Sequence, residues 1–215
     1  MDSIRRWFLQ DRGKRVVDAL QKRGFSALYA ETSAQVKEIV LKEIPAEASV
    51  GVAGSVTIRE IHILDDLKTR GNKLFDHWMA AAQDSEESKE LRRAQQTCDV
   101  FLISTNAITM EGQLVNTDGI GNRVNAMAFG PKKVIVVAGV NKIVPNLEGA
   151  FQRIKEIAVP LNCKRLSLNP PCIQAGKCVD CRVPQRVCRI TTIIEWKPPF
   201  ISDYLIIIVG ETLGY

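Results

Sequence analysis

Histidine is almost missing from this chain: His62 and His77 are the only two among 215 residues. They are too few and too far apart for a zinc cluster built on imidazoles or for a convincing Ser-His triad. No apolar run approaches the ~20 residues needed to cross a bilayer. The longest compact one, "YLIIIVG" at 204–210, reads as a buried strand. The opening "MDSIRRWFLQDRGK" is amphipathic and lacks the apolar middle of a secretory signal. Internal repeats, low-complexity tracts and flexible linkers are also lacking. The expectation is a cytoplasmic protein with no membrane span.

A strong charge imbalance is missing too. With 29 basic and 24 acidic residues the net charge is only +5. Arg5, Arg6, Arg12, Lys14 and Arg15 interleave with apolar residues at helical spacing. They mark a solvated helix face rather than a nucleic-acid patch, so nucleic acid is not an expected partner. The chain is 46% apolar and 25% charged, ordinary for a globular protein with a sizeable core.

Strand-like and helix-like stretches alternate along the chain. Helices are expected over residues 3–23 (capped by Asp2 or Ser3), from "ETSAQVKEIVLKEI", over "VTIREIHILDDLKTRG", after Ser85, over "NRVNAMAF", and after Asn146. In the last, apolar positions 147, 150, 151, 154, 157, 158 and 161 keep helical spacing. Strands are expected at 25–30, 48–54, 73–76, 100–109, 113–117, 133–139, 191–196 and 204–209. The pattern predicts an α/β fold with a mostly parallel sheet flanked by helices. Residues 1–215 form one domain in this reading, with a cysteine-rich, metal-binding segment at 163–190.

In open α/β sheets ligands bind where strands end and helices begin. Three such turns are polar. In "GVAGSVT", backbone amides at Gly54 and the hydroxyls of Ser55 and Thr57 could hold an anion, or Ser55 is simply a helix cap. In "EGQLVNTDGIGNRVNA", Asn116, Asp118, Gly119, Asn122 and Arg123 converge within eight residues. A turn in which Asn and Asp bond their own backbone accounts for Asp118-Gly119. It accounts less well for Arg123, a cation at a helix start that an anionic ligand would employ. Glu111, at the preceding glycine turn, is the best-placed acid for general-base or nucleophile duty, or else an exposed turn acid. In "VIVVAGVNKIV", Asn141 and Lys142 follow the most apolar strand, facing a cleft or solvent. His77 directly follows a strand and can reach the same pocket, whereas His62 lies mid-helix. Together the turns point to a pocket for a small anionic metabolite, an organic acid or a phosphate.

Six cysteines are present, and four fall in "CIQAGKCVDCRVPQRVC": Cys172, Cys178, Cys181 and Cys188. In a reducing compartment they are metal ligands or redox thiols rather than a disulfide framework. The C-x5-C-x2-C-x6-C spacing holds one CxxC, where structural zinc sites usually pair two knuckles. It is closer to iron–sulfur loops, and Lys177, Arg182, Arg186 and Arg189 would offset thiolate and sulfide charge. Iron–sulfur, of the 4Fe-4S kind, is the first reading and zinc the alternative. Cys163 lies nine residues upstream and is a possible substitute ligand; Cys98 reads as a small buried apolar residue.

From about Gly51 to Cys188 the chain resembles the lactate-utilisation (LUD) domain family, through "GVAGSVTIREI", "FDHW", "GQLVNTDGIGNRVNAMAFGPKKVIVVAGVNKIV" and "GKCVDCRVPQRVC". The resemblance implies a fold like that of ribose-5-phosphate isomerase, glucosamine-6-phosphate deaminase and the coenzyme A transferases. There a Gly-Ser/Thr turn holds phosphate or carboxylate, an acidic turn carries the reacting residue, and a lysine follows a central strand. Gly54-Ser55, Asp118 and Lys142 match those places. The family's namesakes act in cytoplasmic lactate oxidation with iron–sulfur partners, which implies iron–sulfur or oxidoreductase protein partners here. Two functions are expected from this. One is a cluster-bearing, anion-binding protein in electron transfer or in assembly of a hydroxy-acid oxidation system. The other is a transferase- or isomerase-type enzyme with structural zinc and Glu111 or Asp118 as nucleophile or base.

Overall fold

The structure, a computed structural model, describes residues 3–215. The candidate cap Asp2 lies outside the described residues. Helix α1 (Ser3–Lys22) leads into strand β1 (Ser26–Ala30), followed by α2 (Ser33–Glu43) and β2 (Val50–Val52). Thr32 caps α2 by accepting the Gln35 N–H. Residues 56–71 are two short helices, α3 (Val56–Glu60) and α4 (Leu64–Thr69), rather than one. His62 breaks them by taking the left-handed conformation at φ 50°. Strand β3 (Leu74–Asp76) and α5 (Glu86–Ala94) follow, with Ser85 capping α5 through the Ser88 N–H.

The expected strand 100–109 is two strands in two sheets. β4 (Val100–Ile103) is fully buried in the first sheet, and β5 (Ala107–Thr109) belongs to the second. The polar triplet Ser104-Thr105-Asn106 carries the chain across. β6 (Leu114–Asp118) folds back antiparallel on β5, and α6 (Asn122–Ala128) precedes β7 (Lys133–Gly139). β8 (Ile143–Val144), α7 (Leu147–Arg153), α8 (Val159–Arg165), α9 (Pro171–Ala175), β9 (Ile190–Ile194) and β10 (Asp203–Val209) complete the order.

The first sheet runs β1-β10-β7-β4-β2-β3 and every pair in it is parallel. β7 and β10 lie in its interior, fully buried over Val134–Gly139 and Tyr204–Val209, as their unbroken aliphatic runs require. One apolar cluster, with α1, fills one face of the sheet; another, with α2 to α4, fills the other. The second sheet, β8-β5-β6-β9, is mixed. The sequence pattern hid it because its strands are short.

Helices α7 and α8 are joined by a π-helical turn, Ile154–Ala158, where the Val159 N–H reaches back to Ile154 O. Pro160 supplies the cause: it has no N–H for an i−4 bond and its ring would strike that carbonyl. The extra residue rotates the apolar stripe. Ala150, Ile154 and Ala158 point inward, while Phe151, Ile157 and Leu161 are substantially exposed, against the expected continuous face. No helix among the described residues is long and apolar enough to cross a membrane.

Because all six strands of the first sheet are parallel, their C-terminal ends share one edge. The segment after β10 crosses that edge, held by Asn141: Oδ1 accepts the Leu213 N–H and Nδ2 donates to Gly214 O. Gly139 lies beneath it, and a methyl there would collide with Asn141 Oδ1 and come within 2.5 Å of Glu211 O. Gly139→Ala is expected to cost about 1–3 kcal/mol, the usual scale of overpacking, read as a lowered denaturant midpoint with unchanged slope. An unchanged midpoint would contradict this packing.

Candidate functional site

A cleft of about 640 Å³ opens at the shared C-terminal edge of the sheet. Gly54 and Ser55 reach it after β2, His77 and Trp78 after β3, Ser104 after β4 and Lys142 after β7. Other parts of the lining come from Asp118 to Ile120, Asn122 and Arg123, from Asn162 and Arg165 of α8, and from residues 184–187 and Arg189. Sequence-predicted Gly54, Ser55, Thr57, His77, Asp118, Gly119, Asn122, Arg123 and Lys142 all line it.

Lys142 forms the floor, 2% exposed. Its Nζ donates to Thr57 Oγ1 and Ser104 Oγ, both at 2.9 Å. Both acceptors are neutral hydroxyls. Desolvation, then repulsion from Arg153 and Arg123, pulls the ammonium from 10.5 down to about 7. Arg153 is buried as well and donates only to backbone carbonyls, Asn141 O and Asn106 O. An arginine cannot shed its charge in a protein, so the lysine yields.

Arg123 donates to Asn116 Oδ1 and Asn106 Oδ1, each at 3.0 Å, and to Thr117 O at 2.6 Å. Asp118 lies 3.8 Å from its Nε. The Asp118 carboxylate is turned back on its own turn, accepting the N–H groups of Gly119, Arg123 and Val124. It opens α6 electrostatically, with Gly121 at φ 100° making the entry. Asn116 is buried behind this wall rather than in the cleft, and Asn141 pins the tail after β10. Glu111 is elsewhere: it sits exposed on the β5–β6 hairpin, 4.0 Å from Arg23. Its strand turns into the second sheet before reaching it, which removes it from the cleft.

His77 is positioned by two rigid contacts. Arg59 grips Asp76 with two bonds of 2.7 and 2.8 Å, and Asp76 Oδ1 accepts the Trp78 N–H. The Gln95 amide nitrogen, fixed through Asn122 Nδ2 on its oxygen, lies 3.1 Å from His77 Nδ1. Nδ1 is therefore the acceptor, and Nε2 keeps the proton, beside Gly54. Burial, with repulsion from Arg92 next, lowers the imidazole from 6.5 to about 4.

The cysteine segment lies against the same region. Cys172, Cys178, Cys181 and Cys188 line one cavity of about 90 Å³, several times the 10–15 Å³ or so that a single water-sized sphere needs. Their four soft sulfurs are the residues that could hold a thiophilic metal centre. Cys163, fully buried, lies within hydrogen-bond reach of Cys172; burial first, and the neighbouring thiols second, push its thiol up to about 11. Among the described residues no three His, Cys, Asp or Glu side chains are drawn to coordinating distance of a common point. The two cavities share Thr117, Val159 and Arg186. Arg186 holds the loop by donating to Cys188 O, Cys181 O and Asp180.

A family model described as the LUD domain matches residues 13–209. The chain belongs to the LUD domain family. The crystal structure of a DUF162 family protein from Deinococcus radiodurans is similar to this LUD domain at a TM-score of 0.54 and 13% identity, over 95% of this chain and 98% of that one. At that identity the likeness speaks for the fold. No curated protein matches the sequence.

Sequence reasoning missed Ser104, Arg92, Arg153 and Arg165 in and around the LUD domain's cleft. Ser104 was legible in hindsight, since "STN" interrupts an apolar run. The arginines stand on helices whose orientation no local pattern states. For His77, the unfolded state binds more protons between pH 6.5 and 4, so stability from the neutral imidazole is complete above about 6.5 and lost as pH falls toward 4. Nitrogen-15 NMR of the two histidines is expected to show His77 as the Nε2–H tautomer, titrating below pH 5. Titration near 6.5 would contradict its burial.

Proposed function

We propose that this LUD-domain protein holds an iron–sulfur cluster at Cys172, Cys178, Cys181 and Cys188 beside a cleft for a small anionic ligand. It would serve electron transfer or assembly in a hydroxy-acid oxidation system of the lactate type. One observation carries the reading: a cavity lined by all four cysteines shares Thr117, Val159 and Arg186 with a cleft lined by six basic side chains and one carboxylate. A cluster bound there would supply one-electron transfer. The protein's own residues bind the anion through Ser55 and Lys142, keep His77 neutral as a hydrogen-bond donor, and let Arg186 tie the thiol loop to the wall of the cleft.

An acyl-transfer or isomerase chemistry needs a carboxylate aimed at the ligand. Glu111 is remote on its hairpin, and Asp118 is occupied by backbone N–H groups. The arrangement favours binding and electron transfer over that reading.

Anaerobic purification is expected to give a coloured protein with iron and acid-labile sulfide in comparable amounts. Cys181→Ser is expected to lose most of both, because a cluster missing one thiolate is poorly held. A colourless preparation carrying zinc, or none of these, would sink the cluster assignment.

A further inference from the structure

The size and charge of the cleft specify its ligand more closely than "small anion". Its roughly 640 Å³ lies in the range of sites for whole metabolites, about 300–1,000 Å³, and a three-carbon hydroxy acid would leave most of it empty. Among the described residues, Arg123 and Arg186 have carboxylate partners, Asp118 and Asp180. Among the described residues no carboxylate lies within ion-pair distance of the other four basic side chains in the lining, Lys142, Arg92, Arg165 and Arg189; Glu60 acts on Lys142 and Asp118 on Arg92 only from farther away.

These cations stand at two depths. Lys142 is on the buried floor, where the hydroxyls of Thr57 and Ser104 take two of its three N–H bonds and Ser55 stands in the same lining. Arg165 and Arg189 stand at the outer wall. Arg165 is held rigidly, with its guanidinium 4.6 Å from the Trp78 ring centroid and two bonds to Asn162 Oδ1. Arg59 lies 4.5 Å from the same ring. Two guanidiniums thus occupy the indole, and recognition falls to charge rather than to ring stacking. A monocarboxylate brings one charge to one depth. A phosphate ester brings two charges on three acceptor oxygens, suited to an ammonium ringed by hydroxyls.

We propose that the cleft takes a phosphorylated metabolite with at least two negative charges. One phosphate sits at Lys142 and Ser55, and further charge meets Arg165 and Arg189. This rests on the cleft being an anion site and does not require a particular group at the thiols.

Calorimetric titration of the anaerobically purified full chain with lactate, inorganic phosphate, pyrophosphate and a hexose bisphosphate tests it. Pyrophosphate or the hexose bisphosphate is expected to bind at least about tenfold tighter than lactate, a difference of about 1.4 kcal/mol. Lys142→Met should weaken that binding about tenfold or more. Arg189→Gln, which removes an exposed charge together with two bonds to the loop carbonyls Arg186 O and Pro184 O, should weaken it several-fold. Lactate binding as tightly as the diphosphates would overturn the proposal while leaving the anion cleft standing. Failure of all four to bind would overturn both. Undiminished affinity in Arg189→Gln, with its melting temperature unchanged, would remove the outer charge contact.

Discussion

Three cations, Lys142, Arg123 and Arg153, are packed into the C-terminal edge of a parallel sheet, with Asp118 the one carboxylate at ion-pair distance among the described residues and Glu60 acting on Lys142 from farther away. Burying charge without a partner is among the costliest arrangements a protein can keep. Much of the surrounding structure answers that cost. Asn106 and Asn116 turn their amide oxygens to Arg123, backbone carbonyls of Asn141 and Asn106 receive Arg153, and the hydroxyls of Thr57 and Ser104 receive Lys142. Dipoles satisfy the hydrogen bonds but do not cancel the charge. The arginines must stay ionised, so Lys142 gives way, and the floor of the cleft remains positive enough to attract an anion.

The thiol segment joins this arrangement as a wall. Between α9 and β9, residues 176–189 have no regular structure, and much of their hydrogen bonding comes from their own arginines. The Arg189 N–H to Asp118 O bond fastens them to the turn that also opens α6. Gly119 lies so close to Val187 O that a methyl on it would stand 3.0 Å away. A group bound by Cys181 and Cys188 would therefore stiffen one side of the cleft, and linkage makes such an effect reciprocal with ligand binding.

The parallel sheet was legible in the sequence because 133–139 and 204–209 are continuous aliphatic runs that only a doubly covered strand tolerates. Gly54-Ser55 and Asn141-Lys142 were legible as turns because each follows such a run. What escaped was everything decided by distant contacts. The switch of sheet at Ser104–Asn106 depends on pairing of β5 with β6 and β8. The placement of Glu111 follows from that switch. The break at His62 is a single left-handed residue with no glycine to announce it. The helical spacing ran through Pro160 without regard to the defect a proline brings, and the result, a π-helical turn rather than a stop, depends on packing against the second sheet.

The account stands on a floor whose positive charge is only partly compensated, and the Lys142 amine reports on it directly. Carbon-13 NMR of labelled lysine side chains, with Lys142→Met to assign the signal, would follow its titration in the ligand-free protein. The account predicts a midpoint near 7, about where desolvation and the two arginines hold it, rising when pyrophosphate is added. A midpoint near 10.5, or one that pyrophosphate does not move, would contradict it.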